Sequence, residues 1–157
     1  MDEGALEKIY NYRRLSDLIA TAGQPTEEEL TTVTEAGFEV VVNLALHDAE
    51  YSLPDERKAV ESLGMRYIHL PVAWERPTQD DLEDFFEIMD ELAGKRVFVH
   101  CAANKRVSVF MALYRLRRQG WLPDVTMPDV LAIWEPDMVW QEFLEMTRQV
   151  APKHNNA

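Results

Sequence analysis

Short apolar runs recur through the first two thirds of this chain, and three of them follow a glycine. FEVVVNL (38–44) comes after Gly37, MRYIHL (65–70) after Gly64, and KRVFVH (95–100) after Gly94. β-Branched and aromatic residues dominate these runs, so each reads as a strand, at least two of them buried on both faces. A glycine closing a helix-like stretch is the expected left-handed C-terminal cap, and Gly120 closes a fourth. LSDLIATAG (15–23) is a weaker strand candidate.

The stretches between carry helix starts. Thr26 with Glu29 forms a capping-box pattern, Pro54 precedes a short helix from Asp55 to Leu63, and Thr78 is an N-cap. After Thr78, the residues Leu82, Phe85, Phe86, Met89 and Leu92 fall on one face. A further helix is expected over 107–119, with Val107, Phe110, Met111 and Tyr114 on its apolar side. Strand and helix in alternation predict an α/β three-layer sandwich, with a mainly parallel sheet of four or five strands flanked by helices. The segment WLPDVTMPDVLAIWEPDMVWQEFLEMTRQV (121–150) adds two C-terminal helices, with Pro136 between them. Its tryptophans, Trp121, Trp134 and Trp140, are expected to pack on the core, and Arg115, Arg117 and Arg118 to form a solvated face. The residues 151–157 read as a frayed tail.

Of the 157 residues, 28 are acidic and 16 are Lys or Arg, a net charge of −12. That field disfavours nucleic acid and anionic membrane partners. No apolar run reaches the length of a membrane span, and the acidic N-terminus lacks a signal pattern, so the expected setting is cytoplasmic. A single cysteine, Cys101, excludes a disulfide within one chain. His47 and Asp48 are too few for a metal site, and no cofactor is expected.

The stretch VFVHCAANKRVSVF (97–110) places that cysteine where a strand ends and a helix is about to begin. Ligands of parallel sheets bind at such carboxyl ends. Loop amides, the helix dipole, Lys105 and Arg106 all favour a thiolate over a thiol. The same donors would hold an oxyanion beside the sulfur, with Arg106 as a planar two-oxygen fork. A nucleophile touching an anion site suits covalent attack on a tetrahedral oxyanion centre. A lone cysteine in an apolar strand can also be a plain core residue. For Ser108 the alternatives are a hydrogen bond to Cys101 or a cap on the helix, and for His100 a bond that orders the loop or one into neighbouring backbone.

The pattern V-H-C-x-x-x-x-R resembles the signature of cysteine-dependent protein tyrosine and dual-specificity phosphatases. SDLIATAGQPTEEEL, FEVVVNLAL, MRYIHLPV and PTQDDLEDFFEIM resemble, in order, segments of the small bacterial dual-specificity-like members. The resemblance covers about residues 15–120. It implies one phosphatase-like domain over 1–150 and a phosphocysteine intermediate at Cys101. Phosphate would be held by the loop Ala102, Ala103, Asn104, Lys105, Arg106 and Val107, with His100 and Ser108 in support. The substrate implied is a phosphorylated small molecule or a phosphoprotein.

This sequence departs from the family, which has five residues between cysteine and arginine and a glycine midway. Here AANK provides four and no glycine. A gapless alignment would put Val107 in the arginine position, and one residue of slip turns a helical side chain by about 100°. The shorter spacing also resembles the cysteine loop of rhodanese-type sulfurtransferases, which would make Cys101 a persulfide carrier. A third alternative is an anion-binding module without turnover. For a general acid, the loop after MRYIHL offers Glu75 beside Trp74 and Arg76, with Asp80 and Asp81 as weaker candidates. Asn43, His47, Asp48 and Glu50 are candidates for the rim, and Gln24 matches a recurrent family position.

Overall fold

A computed structural model describes residues 3–148. The expected tail at 151–157 and the last residues of the expected domain lie outside them. In chain order the elements are α1 (Glu3–Leu6), β1 (Arg13–Arg14), β2 (Ile19–Ala22), α2 (Glu27–Glu35), β3 (Val40–Asn43), α3 (Glu56–Ser62), β4 (Arg66–His69), α4 (Gln79–Glu91), β5 (Val97–His100), α5 (Lys105–Arg118), α6 (Pro123–Leu131) and α7 (Met138–Arg148). The five strands form one sheet in the order β1-β2-β5-β3-β4. Pairing is parallel throughout except between β1 and β2. The expected α/β sandwich is therefore the fold, and its sheet is mixed.

Local chemistry accounts for the helix starts. Thr26 and Thr78 each accept the backbone N–H three residues on, and Glu29 and Asp81 reach back to close both capping boxes. Gly37 and Gly64 leave their helices with φ of 95° and 91°, values that a side chain resists. The strands are shorter than the apolar runs that contain them, since the run ends serve as turns. β1 was not anticipated: two arginines carry no strand pattern, and this edge forms only by pairing with Ala20 and Thr21.

Alternation along β3 and β5 divides the core. Val40, Val42, Val97, Val99 and Cys101 pack under α4, α5 and α7. Val41 and Phe98 face the opposite layer, against Leu30, Val33 and Val60 of α2 and α3. Consecutive residues at the end of β5 thus face different layers, and Cys101 and His100 point to opposite sides of the sheet.

The C-terminal helices are separated at Pro136, as expected. Trp134 and Trp140 pack on the core. Trp121 does not; it is 40% exposed and stacks on Arg115 at 3.9 Å. The basic trio of α5 departs from a solvated face at Arg115, whereas Arg118 stays exposed. Arg115 is buried and donates to Asp129 at 2.7 Å, and Arg118 pairs with Asp90. No described helix is long and apolar enough to cross a membrane.

Candidate active site

β5 delivers Cys101 to the carboxyl edge of the sheet, beside the carboxyl ends of β2 and β3. There a cleft of about 410 Å³ opens, lined by Leu46, Ala49, Tyr51, Ala73, Trp74, Glu75, Cys101, Ala102, Ala103, Lys105 and Arg106. Cys101 and Arg106 share it although both are almost wholly buried, at 1% and 4% exposure. The sulfur therefore has the cleft on one side and the apolar core on the other.

The four-residue loop turns tightly at Asn104. That residue holds the left-handed conformation (φ 64°, ψ 2°), and α5 begins at the next position. Asparagine adopts this conformation more readily than most residues. Its side chain leaves the cleft, with Nδ2 donating to Asn11 O at 2.9 Å and Thr21 Oγ1 at 3.0 Å. The outer side of the loop is pinned as well. Gln24 N–H donates to Ala102 O at 2.9 Å, and Asn11 Nδ2 to Ala103 O at 2.9 Å. Because C=O and N–H of a trans peptide point in opposite directions, the first of these bonds turns the Ala103 N–H away from Gln24. No side chain caps the N-terminus of α5, so its first-turn amides are available to an anion.

The register question is answered by burial. Val107 packs in the apolar cluster, whereas Arg106 lines the cleft. Arg106 Nη1 donates to Val72 O at 2.8 Å, Nη2 to Tyr51 Oη at 3.4 Å, and its Cζ lies 5.9 Å from the Trp74 ring centroid. Its Nε is buried without a hydrogen-bond partner. Ser108 takes the helix-turn alternative, donating to Lys105 O at 2.7 Å and accepting from Trp134 Nε1 at 3.1 Å.

Glu75 stands exposed on the cleft rim. Asp81 is occupied in the capping box of α4, and neither it nor Asp80 lines the cleft. Of the expected rim residues, Asn43 is buried. Its Oδ1 accepts from Ala45 N–H and its Nδ2 donates to Tyr67 Oη. His47 stacks on His69 at 3.6 Å, next to the cleft and not within it. Burial holds the His69 imidazole below its ordinary value. No group of three or more metal-ligating side chains occurs among the described residues.

One residue was missed from sequence. Glu56, at the start of α3, is 4% exposed, and its Oε2 lies 2.5 Å from Nε2 of the fully buried His100. Gln24 Nε2 donates to its other oxygen at 2.9 Å. Burial alone would raise the carboxyl's pKa. The charge of His100 and the bonds from His100 and Gln24 outweigh that and hold it below its ordinary value. A signal existed: Glu56 stands four residues before Val60, and both lie on the inner face of α3.

The approach of β2 to the loop leaves no room for a side chain at Gly23. A Cβ there would stand 2.7 Å from Ala102 O and 2.7 Å from Tyr10 Cδ2. Gly23→Ala should therefore push the loop outward, destabilise the fold by about 1–3 kcal/mol, and weaken phosphate binding. Denaturant melts and phosphate titration check this; unchanged values in both would show that the contact yields freely.

Fold and site together define the dual-specificity and tyrosine phosphatase class. The chain belongs to the family described as DSP-PTPase phosphatase fused to NAD+ kinase, whose model matches residues 10–129. A DUF442 phosphatase structure from Shewanella putrefaciens CN-32 is 34% identical, covers 94% of this chain and 96% of its own, and superposes with a TM-score of 0.83. The core catalytic domain of the PP-IP phosphatase SIW14 from S. cerevisiae shares the fold, with a TM-score of 0.74 at 17% identity, covering 94% of each chain. A β-lactamase hydrolase-like protein of Agrobacterium fabrum is 28% identical over 103 residues, 64% of this chain. This chain spans 24% of that relative's length. The family and these structural neighbours do not favour the sulfurtransferase alternative.

Proposed function

We propose that the protein hydrolyses phosphomonoesters through a phosphocysteine intermediate at Cys101. The observation that carries this reading is the cleft that Cys101 shares with Arg106, whose buried Nε lacks a partner. A buried guanidinium N–H left unpaired is unfavourable, and an oxyanion would satisfy it. Arg106, Lys105 and the loop amides hold the non-bridging oxygens. The Cys101 thiolate attacks phosphorus, forming the S–P bond as the P–O ester bond breaks. Glu75, protonated, gives its proton to the departing oxygen. Its carboxylate then takes a proton from water as that water attacks phosphorus, the S–P bond breaks, and thiolate and inorganic phosphate are released.

The walls narrow the substrate class. Leu46, Ala49, Ala73, Tyr51 and Trp74 offer an apolar and aromatic surface, Lys105 and Arg106 are the cations, and Glu75 opposes extra negative charge at the rim. A substrate carrying several phosphates would demand more cations than these. The cleft suits a single phosphate on an aromatic or apolar group, a small aryl phosphate or a phosphotyrosine side chain.

The test is turnover of p-nitrophenyl phosphate against inorganic pyrophosphate, with wild-type protein and Cys101→Ser. Turnover of the aryl ester by wild type alone is the expected result. Equal rates in the two proteins would remove Cys101 from the chemistry, and faster hydrolysis of pyrophosphate would overturn the substrate assignment. Phosphate binding with no turnover by wild type would identify a binding module.

A further inference from the structure

His100 and Cys101 are neighbours in sequence but face opposite layers, and the buried Glu56 lies on the His100 side. Both ring nitrogens of His100 meet oxygens: Nε2 meets Glu56 Oε2 at 2.5 Å, and Nδ1 meets the Cys101 carbonyl at 3.2 Å. A carbonyl oxygen only accepts, so Nδ1 must carry a proton for that contact to be favourable. A carboxylate also only accepts, so with Glu56 ionised Nε2 carries one too. The Glu56 and His100 side chains are 2% and 0% exposed, which makes an uncompensated charge on either one untenable and a matched pair tenable. The lowered pKa of Glu56 agrees with an ionised carboxylate.

We propose that Glu56 is a positioning residue that keeps His100 as a buried imidazolium, with Nδ1–H donated to the Cys101 carbonyl, so that a fixed positive charge stands behind the nucleophilic sulfur. The proposal rests on Cys101 being the nucleophile. Its charge logic is that a cation held one residue away on the far side of the sheet favours thiolate over thiol without occupying the anion site. The groups facing the pair include His69 of β4, on which the Glu56 charge acts. Gln24, from the turn before α2, donates to Glu56 and carries no charge. His47, from the loop after β3, acts on Glu56 through its charge. Burial first, and then the Glu56 carboxylate, raise the pKa of the Tyr67 phenol of β4, and Arg57 of α3 lies over its ring at 5.1 Å.

Glu56→Gln separates charge from geometry. The new amide can accept from Gln24 through Oε1 and donate to a bare His100 Nε2. Neutral His100 then keeps its Nδ1–H on the Cys101 carbonyl. Every hydrogen bond survives and only the charge pair is lost. The experiment is the rate of iodoacetamide alkylation of Cys101 against pH, in wild type and Glu56→Gln, beside steady-state kinetics with p-nitrophenyl phosphate. The proposal expects the variant's profile to move to higher pH, with alkylation near neutrality about tenfold slower, and kcat to fall with KM little changed. Superimposable alkylation profiles would overturn it. Alkylation needs no phosphoester, so a shifted profile in a protein without turnover would keep the Glu56 role and remove the hydrolase reading. Should Glu56→Gln fail to fold, ¹⁵N NMR of the wild-type His100 ring decides: two protonated nitrogens at neutral pH support the proposal, and one bare nitrogen overturns it.

Discussion

Arg106→Ala should lower kcat/KM for an aryl phosphate by about 10³-fold, the scale seen when an enzyme loses one preorganised donor to developing oxyanion charge. The loss should fall on inhibition by inorganic phosphate as well, because the same guanidinium is proposed to hold the bound anion. Arg106 is 4% exposed and anchored to Val72 O and Tyr51 Oη, so the alanine variant also opens a gap beside Trp74. Arg106→Lys supplies the control. It keeps a positive charge near the cleft but loses the planar fork, and should sit between wild type and alanine in activity. Kinetics together with a thermal melt check the pair. A folded Arg106→Ala protein with wild-type kcat/KM would show that the amides suffice and that the shortened spacing has retired the arginine.

Trp140→Ala is expected to be the most damaging change away from the chemistry. The indole is fully buried, and its ring lies 5.7 Å from Trp74, 6.3 Å from Trp134, 6.1 Å from Phe110 and 5.7 Å from Phe143. Its Nε1 donates to Trp74 O at 3.0 Å, which ties α7 to the cleft wall. Truncation should destabilise by about 3–5 kcal/mol, a large part of the 5–15 kcal/mol typical of a whole domain. Any folded remainder should show a raised KM, since Trp74 would lose the backbone bond and the ring that fix it. Trp140→Phe keeps most of the volume and forfeits the hydrogen bond, at about 1 kcal/mol. Denaturant titration distinguishes these outcomes, and a loss below about 1 kcal/mol for Trp140→Ala would mean that its contacts with Trp74, Trp134, Phe110 and Phe143 carry little of the core's stability.

How much of this was legible before any coordinates can be followed residue by residue. The parallel strands were visible because their apolar runs are β-branched and end on turn residues. The capped helix starts were visible because Thr26 and Thr78 carry their partners three positions on. Cys101 and Arg106 could be placed at one junction because a strand end and a helix start are local features. What the pattern concealed depends on distant pairing. β1 forms on two arginines only because β2 lies beside it. Arg115 reads as surface until Asp129 arrives from the next helix. Glu56 shares the inner face of α3 with Val60, but only the fold brings His100 to within 2.5 Å of it. The shortened loop was the hardest to judge: asparagine tolerates a left-handed turn where the family has glycine, but only the fold shows that Asn104 takes it and lets Arg106 reach the cleft.

The most direct measurement is mass spectrometry of protein quenched in acid during turnover of an aryl phosphate. The peptide bearing Cys101 should gain the mass of one phosphoryl group, and the corresponding Cys101→Ser peptide should gain none and release no phenol. Steady phenol release with an unmodified Cys101 peptide, or a phosphoryl group found on any other residue, would contradict the account.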